Sequence, residues 1–116
     1  MTKQLSGFVM KGLQLSMYTD DREIEHTLGW IGDINPEALL ADGFNGAIIG
    51  VCEHFGGLPV VAYDKEECLQ ILINNDGMSY EDALEFFNYN VVGAYMGEGT
   101  PVFLTFPPTM NKRIGY

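Results

Sequence analysis

Two helix-start signals flank one helix-stop signal in this chain, and together they leave its middle little conformational choice. Asp64 precedes Lys65-Glu66-Glu67, with an acid in capping-box position three residues on. Cys68, Leu69, Leu72 and Ile73 then supply a buried stripe at helical spacing. Asn74-Asn75-Asp76-Gly77 stops that helix, with Gly77 as the residue suited to the left-handed conformation. Ser79 starts the next one, with Asp82 in capping-box position and Glu81 complementing the helix dipole. Ala83, Leu84, Phe87, Val91 and Ala94 line one face of it, while Glu81, Asp82, Glu85 and Asn88 lie away from that face. The spacing predicts helices near 65–74 and 79–95.

The flanks of this helical pair read as strands. Ala47 to Cys52 and Leu58 to Tyr63 are apolar, β-branched runs on either side of Gly56-Gly57, the pattern of a hairpin whose glycines supply positive φ. A helix over 44–55 is the rival, since Phe44, Ala47, Ile48, Val51 and Phe55 also share a helical face. Gly46 and Gly50 would cost that helix about 1 kcal/mol each, which favours the strand. Pro101 to Phe106 reads as a further strand, with the proline tolerated at its first position. Upstream, Thr19 or Asp20 caps a short helix near 21–31 carrying Ile24, Leu28 and Ile31 on one face, and residues 7–17 show a partial strand alternation. The expected fold class is α+β: a small single domain, with a three-stranded antiparallel sheet and two helices packed on one face. Residues 1–43 form an N-terminal extension with a short helix, 44–106 the core, and 107–116 a C-terminal tail.

A chain of 116 residues with 47% hydrophobic and 19% charged residues is long and apolar enough to close one core unaided. Its charge is unevenly spread. All 16 acidic residues lie between Asp20 and Glu98, where only Arg22 and Lys65 are basic, so that span carries 2 − 16 = −14. Such a balance excludes a nucleic-acid binder working through bulk basic charge, and it suits a partner with a basic surface. The N-terminus has no signal-peptide core, no apolar run approaches the roughly 20 residues that span a bilayer, and two cysteines do not make a disulfide framework. The expectation is a cytoplasmic protein with no membrane association.

Residues 42–104 carry an ordered series of motifs. Asp42-Gly43-Phe44 leads to Ala47–Gly50, then Ala62-Tyr63-Asp64 and Cys68-Leu69-Gln70-Ile71-Leu72. Asp76-Gly77-Met78-Ser79 and Glu81-Asp82-Ala83 follow, then Phe86-Phe87-Asn88-Tyr89-Asn90-Val91-Val92-Gly93-Ala94-Tyr95, and finally Gly97-Glu98 with Thr100-Pro101-Val102-Phe103. In this block the chain resembles a family of small uncharacterised proteins predicted from bacteriophage and bacterial genomes. The resemblance implies an origin, a phage accessory protein made inside an infected bacterium, rather than a reaction.

Reaction centres are hard to assemble from these residues. With Gly77 at the sixth position of a calcium loop, Leu72 and Ala83 would fall at its two ends, where carboxylates are required. Cys52, His54, Cys68 and His26 lack the paired spacings of ordinary zinc sites. Either cysteine can be matched arithmetically with either histidine, but Glu66 and Glu67 beside Cys68 oppose a thiolate. The glycine-rich segments 43–46 and 97–100 lack the rest of a phosphate-loop pattern. No catalytic residue, cofactor or metal is therefore nominated. Aromatics remain: Phe86 and Tyr89 fall off the buried face of their helix and either widen the core or form a patch for a partner. The candidate partner surface is Glu81, Asp82 and Glu85 as steering charge, with Phe86 and Tyr89 as apolar anchors. The functional expectation is a non-enzymatic accessory factor, an inhibitor or modulator of a host nucleic-acid-handling or defence protein. The alternatives are a small enzyme or ligand-binding domain, and a homo-oligomeric structural protein.

Overall fold

The computed structural model describes residues 3–4, 21–94 and 96–108. In chain order its elements are β1 (Lys3–Gln4), α1 (Asp21–Ile34), β2 (Leu39–Leu40), a 3-10 turn (Asn45–Ala47), β3 (Ile48–Cys52), β4 (Val60–Asp64), α2 (Lys65–Asp76), α3 (Tyr80–Phe87), a π-helical turn (Asn88–Val92) and β5 (Val102–Leu104). The strand expected within 7–17 and the tail from 109 onward lie outside the described residues.

Both expected helix starts form as read. Asp64 caps α2 by accepting the Glu66 amide at Oδ1 (3.1 Å), and Ser79 Oγ caps α3 by accepting the Asp82 amide (3.1 Å). Gly77 ends α2 with φ of 72° while its amide donates to the Ile73 carbonyl (3.1 Å), a conformation that costs any residue with a Cβ. The second helix differs from its prediction. Its α-helical part stops at Phe87, and Asn88–Val92 opens into a π-turn. Asn90 Nδ2 donates to the Phe86 carbonyl there (3.2 Å), occupying an acceptor at the point where the ladder changes register.

β3 and β4 form the expected antiparallel hairpin, from Cys52 opposite Val60 to Ile48 opposite Tyr63. Of the two loop glycines, Gly56 takes the positive φ, at 88°. The rival helix survives only as the 3-10 turn at Asn45–Ala47. A bulge between Ile48 and Gly50 interrupts β3, and Gly50 sits there with φ of 151°.

The wholly antiparallel sheet is not what forms. The sheet order is β3-β4-β5, with β5 parallel to β4: Ala62 opposite Val102, Tyr63 opposite Phe103, Asp64 opposite Leu104. Parallel neighbours need a crossover, and α2 and α3 supply one. The stretch 93–101 can extend at most roughly 30 Å, enough to carry the chain back across before β5 begins. A second, two-residue parallel pairing joins β1 to β2, Lys3 opposite Leu39 and Gln4 opposite Leu40.

The core centres on β4, all five of whose residues are buried. Tyr63 stacks on Phe103 (5.3 Å between ring centroids), Phe103 meets Phe87 edge-on (5.0 Å), and Phe87 meets Phe44 edge-on (5.7 Å). These four rings join the sheet, the end of α3 and the segment before the 3-10 turn. The same core takes Ile31, Ala38, Leu40 and Ala41, so residues within 1–43 pack against the 44–106 block. Buried Asn35 fastens this upstream segment, its Nδ2 donating to the Pro59 carbonyl (2.8 Å) and its Oδ1 accepting the Glu37 amide (2.9 Å). Leu39 donates its amide to Gly99 (3.0 Å). A Cβ at Gly99 would lie 2.6 Å from the Glu37 carbonyl oxygen, so only glycine allows that approach. Among the described residues no helix is long and apolar enough to cross a membrane.

Candidate protein-binding surface

Met78, Asp82, Phe86 and Asn90 recur at four-residue spacing, so they form one row along the chain from the α3 cap into the π-turn. This row immediately precedes the buried row Ala83, Phe87 and Val91, which fixes α3 against the core. Packing of the second row therefore presents the first, together with Glu85 and Tyr89, at the protein surface. These six residues line a shallow groove of about 490 Å³.

Four of the five expected surface residues thus come together: Asp82, Glu85, Phe86 and Tyr89 share the groove. Glu81 is exposed but is not among its lining residues. The two aromatics are in different environments. Tyr89 is 84% exposed, whereas Phe86 is half-buried and packs against the core. Phe86 forms part of the groove's wall, and Tyr89 projects beside it.

A second cleft, of about 360 Å³, lies where the starts of α2 and α3 meet residues 105–108. Lys65, Glu66, Leu69, Tyr80, Phe106 and Pro107 are among its walls. Glu66 Oε1 accepts from the Tyr80 hydroxyl (3.3 Å) and Oε2 from Gln70 Nε2 (3.3 Å). The Glu66 charge, more than burial, raises the Tyr80 pKa, because ionising the phenol would set two anions side by side. Lys65 Nζ donates to Asn88 Oδ1 (3.0 Å) and lies 5.9 Å from the centre of the Phe87 ring.

The residues weighed for metal or nucleophile chemistry lie in separate parts of the fold. β3 ends at Cys52, so His54 belongs to the hairpin loop, where it crowds Gly57. His26 is exposed on α1, and Cys68 is buried in the core. Burial pushes the Cys68 thiol well up, with Asp64 and Glu67 adding to it. Asp64 thus takes the part that the sequence reading assigned to Glu66. Among the described residues no three His, Cys, Asp or Glu side chains group as metal ligands.

The hairpin tip was not anticipated as a surface. Phe55 is fully exposed and Leu58 more than half exposed. The sequence signal was available, since apolar residues on both sides of paired glycines in a tight loop have no core within reach. No family model, curated protein or solved structure matches the chain.

Proposed function

We propose that this protein is a non-enzymatic, acidic accessory factor that binds a partner through the α3 surface, the partner being a host or phage protein with a basic, nucleic-acid-binding face. The observation that carries this reading is the convergence of Asp82 and Glu85 with Phe86 and Tyr89 in one groove. Carboxylates on a span of net charge −14 steer a basic partner into encounter, and the aromatic side chains supply apolar contact once it docks. The expected resemblance of residues 42–104 to small uncharacterised proteins of bacteriophage and bacterial genomes would put the target in the bacterial cytoplasm, inhibited by competition with DNA or RNA for the same face.

Affinity capture from a bacterial lysate at low salt, followed by mass spectrometry, identifies the partner. Neutralising Glu81, Asp82 and Glu85 together then slows association by about tenfold and flattens its salt dependence. Recovery of the protein's own subunits alone, or an association rate unmoved by the triple variant, would overturn the reading. Exposure of Phe55 and Leu58 at the hairpin tip favours a second reading, self-association. Sedimentation of the intact chain and of Phe55→Ser separates the two.

A further inference from the structure

We propose that the α3 groove reads arginine, taking one guanidinium of a basic partner segment against Asp82, Glu85, Phe86 and Tyr89. This rests on the reading above and names the side chain that the partner contributes. Asp82 and Glu85 are three residues apart on one helix, so their Cβ atoms stand about 5–6 Å apart and two carboxylates face one groove. None of the groove's lining residues is basic, and Lys65 is engaged with Asn88 and the Phe87 ring instead. Among the described residues the groove thus holds no cation of its own and is complementary to one.

The aromatic residues decide which cation. A guanidinium is planar and weakly hydrated; it can lie on a ring while its edge donates two parallel hydrogen bonds to a carboxylate. A lysine ammonium is compact and strongly hydrated, and in a groove this shallow it gains little by giving up its water. A quaternary ammonium would call for a cage of rings, whereas here two of the six lining residues are aromatic and two are acids.

The test titrates the full-length, isotope-labelled chain with two nine-residue peptides of equal charge, glycine-spaced, one carrying three arginines and the other three lysines. Amide shifts should move at Asp82, Glu85, Phe86 and Tyr89, and the arginine peptide should bind roughly two- to fivefold tighter. Tyr89→Ala, which alters an exposed side chain and so keeps the fold, should remove most of that preference. Asp82→Asn with Glu85→Gln should weaken both peptides. Equal affinity for the two peptides, or a preference that survives Tyr89→Ala, overturns arginine reading while leaving acidic docking at α3 in place. Shifts confined to another surface overturn both.

Discussion

The Tyr63 hydroxyl ties the central strand to the segment after β2 by accepting the Ala41 amide at 2.7 Å, with both residues fully buried. Replacing it by phenylalanine keeps the ring on Phe103 but strands a buried N–H. Tyr63→Phe should therefore cost about 1–3 kcal/mol in a urea titration, although it deletes a single oxygen. Burial also raises the pKa of this phenol and of the Cys68 thiol. The unfolded chain ionises these groups at their ordinary values, roughly 8.5 for cysteine and 10 for tyrosine, while the folded chain holds its protons. Stability from both is thus complete below about pH 8 and is lost as pH rises, since the unfolded state then binds fewer protons. Unfolding free energies at pH 7.5, 8.5 and 9.5 should fall, with a limiting slope of roughly 1.4 kcal/mol per pH unit for each ionising group. Cys68→Ala should remove the first part of that decline, between about pH 8.5 and 10.

Among the elements, the aromatic relay and the hairpin tip make opposite predictions for the same residue type. Phe87 closes α3 and meets both Phe44 and Phe103; Phe87→Ala should cost about 3–5 kcal/mol, a large share of the stability of a domain this size. Phe55→Ser should stay within about 0.5 kcal/mol, because the ring it removes touches only solvent. Chemical denaturation of the two variants reads both. Local chemistry explains why the capped helices and the hairpin were legible: Asp64, Ser79, Gly77 and Gly56 each act through hydrogen bonds or φ values within a few residues. The direction of β5 was not, because it depends on how the chain crosses back after α3 and no residue of Pro101 to Phe106 encodes that. The π-turn was hidden for a related reason: Asn88 to Val92 keeps apolar residues at helical spacing, so the pattern continues where the hydrogen bonding changes. At the proposed binding surface, residue spacing gathered Asp82, Glu85, Phe86 and Tyr89 onto one side. It could not separate half-buried Phe86 from exposed Tyr89, since that depends on what the rest of the fold brings up to α3.

For the whole molecule, charge sets both the reach and the weakness of the design proposed here. Sixteen acids against six basic residues leave a net −10, and the sixteen all lie between Asp20 and Glu98. That field would draw in the proposed basic partner from beyond contact distance, yet it pushes the folded chain apart from within. Added salt screens exposed charges over about 3 Å at 1 M, compared with about 30 Å at 0.01 M. The isolated protein should therefore gain stability with salt, on the order of 1 kcal/mol or about 4 °C in melting temperature between 0.01 and 0.5 M sodium chloride. Complex formation should weaken over the same range, since the attraction to a basic face is screened by the same ions. Thermal melts and association rates measured across one salt series test both slopes. A melting temperature that falls with salt would mean that ion pairs outweigh repulsion in the fold, and the acidic span would then be structural cement rather than a steering field.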